Sequence, residues 1–247
     1  IAAGIIDRKV GAPALYFGAN LEIAGAALSF TVHAEQSATN NAWLHGEPGL
    51  IALAVTAAPC GYCRQFLHEL STAHTLTVLL PAKNRVGYTA APLANLLPRA
   101  FGPSDLGIRG GLMDPSHGAP KLALKGNAVR DELVVAALEA ARHSYAPYPT
   151  DRAGQFSGVA LQTRGGRIFE GRYAGNAAYN PSLSPLESAL AFARVTSSLA
   201  IETPEIERCA LVEVPTLASQ RSATEAVLAA CAPGVPLEYH PVLVRKR

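Results

Sequence analysis

The chain has 247 residues, of which 49% are hydrophobic and 16% are charged, which suits one large or two modest globular domains. A net charge of +2, without a dense run of Lys and Arg, argues against a nucleic-acid-binding surface. Four cysteines are too few for a secreted disulfide scaffold, and no run of about 18 apolar residues predicts a membrane span. We therefore expect a cytoplasmic protein with no nucleic-acid or membrane partner.

In the first part of the chain, short apolar segments alternate with helical patterns. Strands are predicted at residues 1–6, 12–20, 49–59 and 76–81, and helices at residues 33–45 and 60–71. Strands that alternate with helices predict an α/β layer in which most strands pair in parallel.

Residues 98–120 are dense in Pro and Gly and show no period, so we expect them to connect two domains, at 1–97 and 121–247. The second domain opens with an amphipathic helix from about residue 127 to residue 144. The further predicted elements are strands at residues 157–163, 167–175 and 209–214 and a helix near residues 185–198.

An internal repeat relates residues 15–38 to residues 168–189. Each copy contains the end of an apolar strand with a glycine, a loop rich in Asn and Ala, and the start of a helix that includes Ser-Ala. Gly18 of the first copy matches Gly171 of the second. The two halves of the chain are therefore predicted to share one scaffold.

The two copies differ where the helix starts. His33 and Glu35 of the first copy face Ser184 and Leu186 of the second, so the second copy lacks both polar groups. We expect one half to be catalytic and the other to be structural. A helix at about residues 127–144 precedes the second copy, and we expect a matching helix before the first strand in the natural chain.

Two cysteines, Cys60 and Cys63, stand three residues apart at the start of a predicted helix and follow a proline. The N-terminus of a helix favours thiolates, and thiolates are zinc ligands. His33 supplies a third ligand if its helix starts beside Cys60. Three protein ligands leave one tetrahedral position for water, which is typical of a catalytic zinc site.

Glu35 lies two residues after His33, in the first turn of the same predicted helix. Zinc lowers the pKa of a bound water towards about 7. A carboxylate that lies beside this water without binding the metal suits a proton shuttle, so Glu35 is the candidate acid and base.

Each half of this pattern is ambiguous when it is taken alone. Cys-x-x-Cys also occurs in structural zinc sites, redox pairs and pairs of core thiols, and His-x-Glu can be a core histidine and a surface glutamate. Together and in this order, with a proline before the first cysteine, the residues match the His-x-Glu and Pro-Cys-x-x-Cys pattern of zinc deaminases.

The sequence resembles the long, homodimeric, two-domain cytidine deaminases. The resemblance runs across nearly all of the chain, in the blocks FGANLE, TVHAEQSA, PCGYCRQF, LLPRAFGPSDL, GLMD and NAAYNPSLSPLESAL. It implies two similar three-layer α/β/α domains with mixed, mostly parallel sheets, the second a degenerate copy. It also implies a homodimer that converts cytidine and deoxycytidine to uridine and deoxyuridine by hydrolysis, with release of ammonia.

The resemblance assigns His33, Cys60 and Cys63 as ligands of one Zn²⁺ per chain, in the first domain. It assigns Glu35 as the proton shuttle, while zinc-bound hydroxide attacks C4 of the base. The second domain lacks these residues at the matching positions, so we expect it to bind no catalytic zinc and to serve packing and dimer formation.

The resemblance also assigns residues that bind the nucleoside. Asn20 and Glu22 match contacts to the ribose 3′-hydroxyl, and two residues that are two apart on a strand end face the same way. The N–H of Ala34 and the carbonyl of Cys60 match contacts to the pyrimidine, and Phe101 matches an aromatic residue that closes the pocket. If the family resemblance is set aside, Asn20 is interpreted as a turn residue and Glu22 as a solvated charge. Phe101 is then a residue that packs within the segment that connects the domains.

Two other functions remain open from the sequence. One is a related zinc deaminase that acts on a free base or on a nucleic acid, against which stand the sugar-contact pair and the shortage of basic residues. The other is an interaction protein that zinc stabilises. Such a site would be closed by four protein ligands, and the sequence offers no obvious fourth.

Overall fold

The computed structural model describes residues 1–6, 12–84, 86–124, 130–148, 154–197 and 205–245. The chain forms two compact units, and each is built on one five-stranded sheet. Unit 1 comprises Ile1–Leu21, Val32–His117 and Asn176–Ser182, and unit 2 comprises Glu22–Thr31, Gly118–Gly175 and Leu183–Arg247. The domain bounds predicted from the sequence, residues 1–97 and 121–247, stay a prediction. No helix in the described ranges is long and apolar enough to cross a membrane.

Unit 1 contains all six elements that the first part of the sequence predicts, in shorter form. Its sheet has the order β2-β1-β3-β4-β5. The strands are β1 (Ala2–Ile6), β2 (Ala14–Gly18), β3 (Ala52–Val55), β4 (Thr77–Pro81) and β5 (Tyr88–Pro92), and the helices are α1 (Ala34–Leu44), α2 (Gly61–His68) and the short α3 (Leu93–Leu96). Strand β5 has no sequence signature because four of its five residues are exposed at the sheet edge.

Unit 2 has the strand order β6-β10-β9-β7-β8. Its strands are β6 (Leu122–Leu124), β7 (Ser157–Thr163), β8 (Ile168–Arg172), β9 (Ile206–Glu213) and β10 (Leu237–Val244), and its helices are α4 (Glu132–Arg142), α5 (Pro185–Thr196) and α6 (Arg221–Cys231). Helix α4 begins later than predicted because Asp131 caps it, accepting a hydrogen bond from the N–H of Leu133. Residues 127–129 and 198 of the predicted helices lie outside the described ranges.

The prediction of mostly parallel sheets is wrong. Each sheet is mixed, and among the strands that the structure describes only β3–β4 in unit 1 and β9–β10 in unit 2 pair in parallel. These are the neighbouring strands that a helix, α2 or α6, connects. Helix α1 also follows a strand, but it leads from β2 to β3 across β1, and β1 is antiparallel to both. A parallel pair needs a crossover between adjacent strands, and an alternating sequence does not show which strands are adjacent.

The structure confirms the internal repeat through two glycines. A Cβ atom on Gly18 of β2 would lie 2.2 Å from the backbone nitrogen of Ala38 in α1, and one on Gly171 of β8 would lie 2.3 Å from that of Ala189 in α5. Only glycine allows these helices to approach the strands so closely. The two contacts fix the alignment of the copies independently of side-chain similarity.

A third glycine shows the layers of unit 2. A Cβ atom on Gly158 of β7 would lie 2.2 Å from the backbone nitrogen of Ala141 in α4. Its neighbour Val159 pairs with Gly171, so Gly158 and Gly171 point to opposite faces of the sheet. Helices α4 and α5 therefore cover opposite faces, as a three-layer arrangement requires.

Candidate functional site

His33 is the N-cap residue of α1, where the chain leaves an extended conformation. Its backbone N–H donates to Oε1 of Gln36, three residues later, at 3.2 Å. This bond satisfies one of the donors at the helix start and fixes the backbone that carries the imidazole. The histidine side chain is therefore held at the end of the helix.

Cys60 occupies the same place on α2, as its N-cap residue. The Cys60 carbonyl accepts the first helical hydrogen bond, from the N–H of Arg64 at 3.0 Å. The Arg64 side chain turns back, and its Nε donates to the carbonyl of Pro59 at 2.8 Å. Cys63 follows one turn later and is buried, whereas Cys60 is exposed. The start of α2 thus presents one thiol to solvent and one to the interior.

The two helix starts bring three ligand atoms together. Nδ1 of His33 lies 3.4 Å from Sγ of Cys60 and 3.3 Å from Sγ of Cys63. Tetrahedral zinc with Zn–S bonds of about 2.3 Å and Zn–N bonds of about 2.0 Å would separate nitrogen and sulfur by about 3.5 Å. The three side chains therefore fit zinc. Across the ranges that the structure describes, this is the one group of at least three such side chains close enough to hold a metal ion.

Glu35 lies in the first turn of α1, and only 8% of its surface is exposed. Burial raises the pKa of the Cys63 thiol, and the neighbouring Glu35 carboxylate and Cys60 raise this pKa further. Glu35 therefore adjoins the metal-ligand group. A cation that binds there must displace the proton of this thiol.

Asn20 and Ala34, both predicted to contact substrate, lie together. Oδ1 of Asn20 accepts a hydrogen bond from the N–H of Ala34 at 2.9 Å, which caps the start of α1. This N–H is the group predicted to bind the pyrimidine carbonyl. A substrate carbonyl would have to replace or share the bond to Asn20.

The other two predicted substrate residues are exposed. Glu22 belongs to unit 2. Phe101 is 47% exposed, and its carbonyl accepts a hydrogen bond from Nε2 of Gln65 in α2 at 2.7 Å. This bond holds the backbone of Phe101 against α2 and leaves the ring open to solvent. The roles of both residues stay predictions.

Unit 2 fills the matching positions with structural groups. Ser184 Oγ accepts from the N–H of Glu187, and Glu187 Oε2 accepts from the N–H of Ser184, so a closed capping box stands where His33 stands in unit 1. Leu186, which matches Glu35, is fully buried. The start of α5 thus has the same backbone arrangement as the start of α1 but lacks the histidine ligand and the acid.

Three polar residues of unit 1 were not predicted from the sequence. Gln65 lies on α2 and Glu69 is its C-cap residue, and both are hydrogen-bonded to the segment that begins at Asn176. The one local clue was Glu69, an acidic residue at the C-terminal end of a helix, where the helix dipole disfavours negative charge.

Comparison with known proteins supports the same interpretation of the site. Models of the cytidine and deoxycytidylate deaminase zinc-binding region match residues 2–79 and 93–225. A cytidine deaminase of Vibrio cholerae is 44% identical over 227 residues, which cover 91% of this chain and 71% of the relative. One of Photorhabdus laumondii is 46% identical over 217 residues, which cover 87% of this chain and 68% of the relative.

A solved structure of a cytidine deaminase from Burkholderia pseudomallei is 22% identical and covers 45% of this chain and 89% of its own, with a TM-score of 0.35, too low to bear on the fold. Family membership is shown by the sequence comparisons. One family model spans more than half of the chain, and both relatives match across most of their length. The chain therefore belongs to the family of zinc-dependent cytidine and deoxycytidylate deaminases.

Proposed function

We propose that the protein is an enzyme that hydrolyses cytidine and deoxycytidine to uridine and deoxyuridine and releases ammonia. The observation that carries this proposal is the meeting of His33 Nδ1 with the sulfurs of Cys60 and Cys63, beside the buried carboxylate of Glu35. The relatives of the chain that are 44–46% identical are named cytidine deaminases.

His33, Cys60 and Cys63 would hold the zinc ion. They are three protein ligands, and catalytic zinc sites characteristically use three and leave a fourth position open. Bound zinc supplies Lewis acidity, which makes water reactive near neutral pH. The chain's own residues then have to move protons and hold the nucleoside.

Glu35 is the proposed proton carrier. In the overall reaction, the oxygen of water forms a bond to C4 of the pyrimidine, and the bond from C4 to the amino nitrogen breaks. Glu35 accepts the two protons of the attacking water in turn and delivers one to N3 of the base and the other to the departing amino nitrogen, which leaves as ammonia. Its low exposure keeps bulk water from competing for these protons.

The nucleoside is held at the ends of the same helices in this proposal. The N–H of Ala34 donates to the pyrimidine carbonyl, and the carbonyl of Cys60 accepts from the amino group. Asn20 and Glu22 bind the ribose 3′-hydroxyl, and Phe101 closes the pocket. We further propose that the enzyme is a homodimer and acts in the cytoplasm, in pyrimidine salvage.

An ultraviolet assay on four substrates tests the proposal. Cytidine, deoxycytidine, cytosine and a short single-stranded oligonucleotide are each incubated with the full chain, and loss of the cytosine absorbance is followed. We expect turnover of the two nucleosides only. Turnover confined to the oligonucleotide or to free cytosine would contradict the proposal.

A further inference from the structure

We propose that residues 176–182, here called the clamp segment, fix helix α2 in the position that presents Cys60 and Cys63 to the metal. Asn176 and Glu69 are then positioning residues for the zinc thiolates. The inference deepens the proposed function and depends on it for its meaning in catalysis. The clamp segment belongs to unit 1, although it lies far along the chain, in the half that has no metal ligands of its own.

Three polar side chains of α2 and its C-cap, Tyr62, Gln65 and Glu69, lie on one face of the helix. Their spacing of three and four residues places them within about 60° around the helix axis. Cys63 is about 100° or more away from each of them. Contacts on this face can therefore fix the helix without entering the metal site.

The clamp segment bonds to all three positions. The bonds are Tyr62 Oη to the carbonyl of Asn180 at 3.0 Å, Asn176 Nδ2 to the carbonyl of Gln65 at 3.1 Å, and the N–H of Ala177 to Oε2 of Glu69 at 3.0 Å. They cover the helix from its first turn to its C-cap residue. Sliding or rotation of α2, which would move both cysteines, requires breaking them.

Glu69 shows that this contact matters beyond ordinary packing. Its surface is 0% exposed, and that of Asn176 is 1% exposed. A buried carboxylate costs free energy unless it is hydrogen-bonded, and the C-terminal end of a helix disfavours its charge. Because Glu69 is unfavourable for α2 itself, we infer that it is retained for its hydrogen bond to the clamp segment.

The clamp segment is stiff enough to act in this way. Oδ1 of Asn176 accepts from the N–H of Ala178 at 2.9 Å, and the N–H of Asn176 donates to Oγ of Ser182 at 3.0 Å. Tyr179 adopts a left-handed conformation with φ of 60°, which closes the turn. A segment that is ordered by its own bonds loses little freedom when it holds a partner.

Zinc affinity, measured without any nucleoside, tests the inference. The full chain is loaded with zinc and titrated with a chromogenic chelator. Asn176→Ala and Glu69→Ala should each lower zinc affinity about tenfold or more, as loss of supporting contacts around metal ligands commonly does. Glu69→Gln keeps an oxygen for the N–H of Ala177 and should stay close to wild type.

The matched control is Glu213→Ala. Glu213 is a buried carboxylate of unit 2, 2% exposed, that also accepts a backbone N–H, from Gln220. This variant should keep wild-type zinc affinity. Equal loss in the control, or wild-type affinity in both alanine variants of the clamp, would overturn the inference. If those variants do not fold, Tyr62→Phe removes one hydroxyl bond and should lower the affinity up to about fivefold, and more than the control does.

The test separates the clamp from the proposed reaction because it involves no turnover. Weakened zinc binding in a protein that deaminates no nucleoside would support the clamp and overturn the proposed function. Unchanged zinc binding in an active deaminase would do the reverse.

Discussion

At the scale of single residues, the two units form an internal comparison. Glu35 and Leu186 occupy equivalent first-turn positions, and both are buried, but only Glu35 adjoins a metal ligand, Cys63. A buried carboxylate without a task is costly, whereas a buried leucine at the same place stabilises the core. We therefore infer that Glu35 is kept for the reaction, since burying its carboxylate costs free energy of folding that a leucine avoids.

Replacing Glu35 with glutamine should therefore affect turnover and little else. Glu35→Gln keeps the size of the side chain but cannot carry the proton, so kcat should fall at least about 100-fold. Zinc content, measured by elemental analysis, should remain at the wild-type level. Glu187→Gln, a control at a buried acid in the first turn of α5, should leave kcat within about twofold. Loss of zinc from Glu35→Gln would mean that Glu35 is a metal ligand.

At the scale of elements, close contacts between helix and strand position the site. Gly18 lets α1 lie directly on β2, and His33 stands at the end of α1. The atoms that oppose a side chain at residue 18 are backbone atoms, which cannot rotate away. The approach of α1 thus depends on the absence of one methyl group.

Gly18→Ala should lower the free energy of unfolding by about 3 kcal/mol, as overpacking against rigid neighbours does. Gly118→Ala is the control, since a Cβ atom there meets nothing within 4 Å, and its effect should stay within about 0.5 kcal/mol. Urea unfolding measures both. Equal stability of the two variants would show that α1 can move away from β2 at little cost.

The stabilisation that Asp131 gives to the start of α4 should be lost at low pH. Arg208, whose side chain is 2.6 Å from Asp131, lowers the pKa of this carboxyl. The folded pKa lies below the unfolded one, so the stabilisation is present above about pH 4 and is lost as the pH falls further. Asp131→Ala should cost about 1 kcal/mol at pH 7, and the difference from wild type should shrink below about pH 4.

Denaturation with urea at several pH values checks this prediction. Glu225→Ala, which removes an exposed pair with Arg221 one helical turn away, should cost less than about 0.5 kcal/mol at every pH. A difference for Asp131→Ala that does not depend on pH would assign the effect to the helix cap alone.

At the scale of the whole molecule, the sequence predicts what is local. Caps and apolar runs reveal α1, α2 and most strands, and the spacing of His33, Cys60 and Cys63 reveals the metal group. Strand order and direction depend on pairing between distant segments, so the prediction of mostly parallel sheets is in error. The contact between Asn176 and Gln65 joins residues 111 apart in the chain and leaves no period in the sequence.

The proposed deamination requires one functional zinc ion per chain, bound by unit 1. The most direct measurement removes zinc with a chelator and follows cytidine deamination as zinc is added back. We predict that the metal-free protein is inactive and that activity rises in proportion to zinc and reaches its plateau at one zinc per chain. Deamination without zinc, or a plateau only at two, would contradict this requirement.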